Sequence, residues 1–177
     1  PMISYASTNP GLSDAEAYPN FFRVVPSDAI QGPALNDVVT ADGGTAVALM
    51  YMTNDYGSGL ADNFEAAWGS ALCAKAGYDP ESFDASTLAG QVSSCDVLVT
   101  VTYAADGAAI VEELAVQGYT GQIYGADGIA DANFGNEFSD IYALDGVIAT
   151  QPRPGITSAM KTAFETDYAA AGGNASG

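Results

Sequence analysis

An open, parallel α/β sheet with helices on both faces is the fold class this sequence predicts, and three observations predict it. Apolar runs of strand length recur along the chain: "TAVALMYM" (45–52), "VLVTVTY" (97–103), "QIYGA" (122–126) and "GVIAT" (146–150). Longer stretches with helical spacing separate them. The runs are continuously apolar, as strands covered on both faces are, and strands alternating with helices build parallel sheets.

Taken in order, "PMISY" (1–5) looks like a strand already under way at the start of the chain. Residues 1–20 otherwise stand outside the strand-helix rhythm. A helix is expected over about 27–40, with Ser27 as N-cap after Pro26. The run at 45–52 is the next strand. A second helix is expected over about 58–76, where Leu60, Phe64, Trp68 and Leu72 recur every four residues and Gly77 supplies a C-cap. "AGYDPESFDAS" (76–86) reads as a loop, 97–103 as a strand, and about 106–117 as a helix closed at Gly118. The strands at 122–126 and 146–150 follow. "QPRPG" (151–155) reads as an extended linker, because each proline restricts itself and its predecessor. A last helix is expected over about 157–170, before a small polar tail. The result is a Rossmann-like layer structure whose strand order the sequence does not reveal.

Composition narrows the function. With 177 residues, 48% of them hydrophobic, the chain can bury one domain core. Four basic residues face 22 acidic ones, a net charge of −18 that repels nucleic-acid phosphates and anionic lipid headgroups. No apolar stretch approaches the roughly 20 residues of a membrane helix, so direct membrane insertion is not expected. The chain reads as a piece of a longer protein, so a missing leader peptide says nothing about its compartment. Cys73 and Cys95, 22 residues apart, lack metal or redox spacing. Placed late in a helix and just before a strand, they could form a disulfide or stay as two buried thiols.

Catalysis has little to work with. There is no histidine to activate a serine or cysteine, and acidic neighbours such as Glu112 and Glu113 point to different faces of a helix. "NDYGSGLAD" (54–62) begins like a dinucleotide fingerprint, but Asp62 stands where its third glycine belongs and no phosphate-binding lysine follows. "DGIAD" (127–131) does not match the calcium-loop ligand series, so no metal or cofactor is expected. Asn174-Ala175-Ser176 fits a glycosylation triplet that also arises by chance.

The strand ends are more informative. "YASTNP" (5–10), Tyr56, Tyr103 and Asp127 each stand at or just after the end of a predicted strand, where open α/β sheets bind ligands. Singly, Tyr56 and Tyr103 could be packing residues, Asp127 a helix cap, and Ser7 and Thr8 turn formers. Together they supply hydroxyls and turn amides for a carboxylate, an acid for an ammonium, and aromatic faces beside both. A free α-amino acid needs that set, because a buried zwitterion must have both charges paired.

These residues, in this order, resemble the type I periplasmic binding proteins of ABC importers, in particular the leucine/isoleucine/valine-binding family. "MISYASTNPGLS" (2–13) looks like the family's hinge-proximal strand and ligand loop, and "FFRVVPSDAIQGPAL" (21–35) is similar to its opening of the second lobe. "NDYGSGLAD", "VTYAADG" (101–107) and "YGADGIAD" (124–131) follow at the expected intervals. The resemblance implies that the loop of Ala6, Ser7 and Thr8 receives a ligand carboxylate, that Tyr56 and Tyr103 supply aromatic contacts, and that Asp127 takes the α-ammonium. It also implies that residues 1–18 are a hinge strand and loop belonging with a first lobe, 19–151 a second lobe, and 152–177 a crossover and helix leading back.

The function implied is capture of a branched-chain or other hydrophobic amino acid between two lobes, for delivery to a membrane permease outside the cytoplasm. No bond would be made or broken. A sensor or receptor ectodomain of the same fold, binding an amide, urea or aromatic acid, is the alternative.

Overall fold

The computed structural model describes residues 1–131, 133–152 and 157–173. Arg153 and the rest of the predicted proline linker beyond Pro152, and the Asn174 triplet, lie outside the described residues. Five strands, β3 (Val47–Met52), β4 (Ala74–Tyr78), β5 (Val97–Val101), β6 (Gln122–Gly125) and β7 (Ile148–Ala149), form one wholly parallel sheet in the order β4-β3-β5-β6-β7. The opening strand β1 (Met2–Ser4) is not part of it. β1 pairs in parallel with β2 (Phe21–Arg23) in a separate two-stranded sheet.

Four helices cover the large sheet. On one face α1 (Asp28–Ala41) and α2 (Asp55–Trp68) bury Leu35, Val39, Ala61 and Phe64 against Val47, Leu49, Val97 and Val99. On the other, α3 (Ala85–Val92) and α4 (Ala104–Val116) bury Leu88, Val92, Ile110 and Leu114 against Ala48, Met50 and Leu98. The central strands β3 and β5 therefore read as unbroken apolar runs, since both of their faces meet helices.

Two expectations need correction. The helix expected over 58–76 ends at Trp68, where Gly69 takes a left-handed conformation (φ 65°) and its N–H caps onto Glu65. The four-residue recurrence misled because Leu72, beyond the helix end, still packs on the same core as Phe64 and Trp68. Gly77, the expected C-cap, instead lies inside β4. The expected loop over 76–86 holds the end of β4 and the start of α3, whose N-cap Asp84 accepts from the Thr87 N–H at 2.6 Å.

Cys73 is consequently in a strand lead-in rather than late in a helix. It is bonded to Cys95, with the two Cα atoms 5.9 Å apart. Each cysteine precedes a strand, and β4 and β5 flank β3, so the bridge ties the lead-ins across the sheet. Closing a loop of 22 residues is worth about 3 kcal/mol by the chain-entropy estimate.

The last helix, α5 (Ser158–Ala170), is capped by the Thr157 side chain and has no buried residue. Met160, Phe164 and Tyr168, spaced by four, are exposed on it. Met2, Ile3, Phe22 and Val24 around the β1–β2 sheet are exposed as well.

Candidate ligand-binding site

The strand order places a topological switch point at β3 and β5. The chain leaves β3 for β4 on one side, then returns to add β5, β6 and β7 on the other. Side chains that follow the carboxyl ends of β3 and β5 face each other across the crevice where such sheets bind ligands. Those side chains are Tyr56 and Tyr103. Their rings stack with centroids 5.3 Å apart and planes 8° from parallel.

Asp127 comes from the turn after β6. It opens a 3-10 turn (Asp127–Ile129), and no side chain caps that turn. Its Oδ1 accepts a 2.8 Å hydrogen bond from the Tyr56 hydroxyl, which in turn accepts from the Gly128 N–H at 3.0 Å. The acid is thus held by a tyrosine from another element and is not a helix cap. Burial first, and then the Asp127 charge, drive the Tyr56 phenol far above its ordinary value; Tyr103 is raised by the same two causes. Both stay neutral hydroxyls. Residue 128 must be glycine for this arrangement, because a Cβ there would lie 2.3 Å from the Thr102 carbonyl and 3.0 Å from the Tyr56 hydroxyl.

The fourth wall is the loop after β1. Arg23 donates to the Asn9 carbonyl at 2.9 Å, to the Ser7 carbonyl at 3.3 Å and to the Ser13 hydroxyl. The Asn9 side chain donates to the Asp55 carbonyl at 2.8 Å, fastening the loop to the first turn of α2. Within the loop the Ser4 hydroxyl accepts from the N–H groups of Ala6 (3.2 Å) and Ser7 (2.9 Å) and donates to the Ser7 hydroxyl (2.8 Å).

All six residues picked out in the sequence, Ala6, Ser7, Thr8, Tyr56, Tyr103 and Asp127, line one cleft of about 1210 Å³. Sequence reasoning passed over Asn9, Ser4 and Asp28. Asn9 stood in a turn-forming stretch, and Ser4 looked like an ordinary strand residue. Asp28 directly follows the N-cap, a place where an acid ordinarily faces solvent and favours the helix dipole. Instead it is fully buried, its backbone N–H donates to the Thr8 carbonyl at 3.0 Å, and neither side-chain oxygen has a hydrogen-bond partner among the described residues. Burial pushes its carboxyl up to about 6; the adjacent Thr8 side chain opposes the rise, the Asp127 charge adds to it, and Arg23 opposes it.

Asp106 secures the aromatic side. Its carboxylate accepts from the Tyr78 hydroxyl and, at 3.1 Å, from the Tyr103 N–H, fixing Tyr103 at the start of α4.

Comparison with known proteins bears on this arrangement. The receptor family ligand binding region matches residues 1–169. The chain belongs to this family. Among family relatives, human metabotropic glutamate receptor 8 is 45% identical over 64 residues, 36% of this chain and 7% of the receptor. Metabotropic glutamate receptor-like protein E of Dictyostelium discoideum is 28% identical over 93% of this chain and 22% of its own length. A solved structure from Rhodospirillum rubrum, described as a branched-chain amino acid ABC transporter protein, superposes with a TM-score of 0.74 at 22% identity, over 96% of this chain and 51% of that one. The fold is that of a lobe of a type I periplasmic binding protein. This family member spans about half the length of that structure and under a quarter of the curated relatives named here.

Proposed function

We propose that the cleft captures a free α-amino acid, with its ammonium on Asp127, its carboxylate toward the loop of Ala6, Ser7 and Thr8, and its side chain beside Tyr56 and Tyr103. The observation that carries this reading is Asp127 itself. It is a half-buried carboxylate in the cleft wall, held by a neutral hydroxyl and by no lysine or arginine among the described residues, so its charge is available to a ligand cation. A ligand carboxylate would compete with the Ser4 hydroxyl for the loop amides.

On this reading the protein is the substrate-binding component of an ABC importer, taking a branched-chain or other hydrophobic amino acid to a membrane permease. The likeness to the Rhodospirillum structure supports the fold on which it rests. Residues 1–18 and 152–177 would belong with a first lobe, and the exposed apolar side chains of β1, β2 and α5 are surfaces such a lobe would cover. Closure of two lobes would exclude water and strengthen both ion pairs. The Cys73–Cys95 bond supports a periplasmic or other extracytoplasmic location, since disulfides persist in oxidising compartments. No helix among the described residues is long and apolar enough to cross a membrane.

The similarity to metabotropic glutamate receptors favours a second reading, an amino-acid sensor or receptor ectodomain using the same cleft. A permease encoded beside the gene would support the first role, and a signalling domain in the same polypeptide the second.

A thermal-shift panel of free L-amino acids, their amides and aromatic acids tests the ligand class. Binding to the folded state alone raises stability by RT ln(1 + [L]/Kd), about 2.7 kcal/mol at a hundredfold excess over Kd. Stabilisation by aliphatic amino acids is expected; stabilisation by amides or aromatic acids alone would overturn the amino-acid reading.

A further inference from the structure

Of the five α-helices among the described residues, four begin on Ser27, Asn54, Asp84 or Thr157, and each of those side chains accepts an N–H from the first turn. α4 begins on Tyr103, whose side chain makes no cap bond. A serine, threonine, asparagine or aspartate there would stabilise the helix start. The tyrosine forgoes that bond and offers a half-exposed ring to the cleft, stacked on Tyr56. The start of α4 is then fixed from another element.

That element is β4, through its last residue, Tyr78. The Tyr78 hydroxyl donates to one oxygen of Asp106, whose other oxygen accepts from the Tyr103 N–H at 3.1 Å. The Tyr78 carbonyl accepts from the Thr53 N–H at 2.8 Å and from the Thr53 hydroxyl at 3.1 Å. Thr53 leads directly into Asn54, the N-cap of α2, and Tyr56 lies in the first turn of that helix. Tyr78 and Asp106 are buried, and Phe83 packs on the Tyr78 ring with centroids 5.2 Å apart. The described residues that line the cleft include neither of them. One residue at the end of an edge strand thus ties down the start of both helices that carry the stacked rings.

We propose that Tyr78, from outside the cleft, is the positioning residue of the Tyr56–Tyr103 pair, and that it thereby sets how a ligand side chain fits against the two rings. The ligand part rests on the amino-acid reading given above. The hydroxyl arm acts through Asp106 on Tyr103, and the carbonyl arm acts through Thr53 on Tyr56. A phenylalanine at 78 keeps the carbonyl arm and the packing on Phe83 and removes the hydroxyl arm alone. Asp106 then retains the Tyr103 N–H as donor but loses the bond that anchors it to the sheet, so the N-cap residue is free to shift with its ring. Ammonium and carboxylate contacts, made by Asp127 and the loop of Ala6, Ser7 and Thr8, are left in place.

The test compares the ring NMR signals of Tyr56 and Tyr103 in the ligand-free chain, its Tyr78→Phe variant and a Tyr124→Phe control. Tyr124 is a matched case, a buried tyrosine whose hydroxyl donates to the Asp42 carboxylate at 2.7 Å, at the far end of α1 from Thr8. The expected result is that Tyr78→Phe shifts both ring signals and Tyr124→Phe shifts neither. Unmoved signals in Tyr78→Phe, or equal shifts in the control, overturn the proposal. Thr53→Val, an exposed and mild change, probes the other arm should Tyr78→Phe not fold: it should move the Tyr56 signals, and unmoved signals there overturn the proposal as well. Titrations with glycine and L-leucine then read the ligand part. Tyr78→Phe should weaken leucine binding roughly tenfold more than glycine binding, a size of coupling usual between residues of one network. Equal losses overturn that part. No binding of either by the parent removes the amino-acid reading and leaves the positioning of the rings to stand or fall on the NMR result.

Discussion

The Tyr56 hydroxyl reaches across 71 residues of sequence to donate a 2.8 Å hydrogen bond to Asp127. That bond joins the first turn of α2 to the turn after β6, and it orients the acid without supplying a counter-charge. A lysine or arginine in the same place would consume the charge. A phenol leaves it for a ligand.

Replacing Tyr56 by Phe should therefore remove one hydrogen bond from Asp127 and one acceptor from the Gly128 N–H. The expected loss of stability is about 1 kcal/mol, read by urea denaturation, while the stack on Tyr103 survives. Tyr103→Phe, which keeps the same stack, should change stability by less. Equal effects of the two changes would mean that the hydroxyl of Tyr56 contributes nothing beyond its ring.

Gly128→Ala should be worse than either. Its Cβ would meet the Thr102 carbonyl at 2.3 Å, so the turn carrying Asp127 must move away from the end of β5. Overpacking of this kind costs about 1–3 kcal/mol, and the displaced turn should also weaken ligand binding. Denaturation and calorimetry of the same variant read the two effects separately.

Asp28→Asn should stabilise the protein at neutral pH and leave it unchanged in acid. A carboxyl raised to about 6 in the folded protein, from an ordinary value of 3.8, means that the folded state holds the proton more tightly. Its contribution is fully present below the unfolded value and is lost as pH rises through the folded one. The neutral amide escapes that loss. The variant should match the parent near pH 4 and exceed it above pH 7 by up to about 3 kcal/mol, measured by urea denaturation at both values. A constant difference across that range would contradict the burial argument.

Reduction of the Cys73–Cys95 bond should lower stability by about 3 kcal/mol. The Cys73→Ser and Cys95→Ser double variant should reproduce the loss. Denaturation of oxidised and reduced protein measures it.

The layered fold was legible because β3 and β5 are buried on both faces, so their apolar runs are long and uninterrupted. β4 was not legible. It is an edge strand with exposed Lys75 and Gly77, it follows a helix by a few residues, and Leu72 continues the helical spacing into the gap. The eight-residue helix α3 presents too few apolar positions to stand out from its turn-rich surroundings. At the site, residues that follow apolar strands could be named from the sequence alone, because a parallel sheet puts all its strand ends on one side. Asp28 could not. Its burial depends on how the first turn of α1 docks against Thr8, a contact between segments with no pattern linking them.

Calorimetric titration of the protein and its Asp127→Ala variant with L-leucine and other free aliphatic amino acids tests the central claim most directly. The account predicts binding by the parent that is lost in the variant by several kcal/mol, because truncation leaves a ligand ammonium without its counter-charge, while stability falls by no more than about 1 kcal/mol from the lost Tyr56 hydrogen bond. Equal affinity in parent and variant would contradict it.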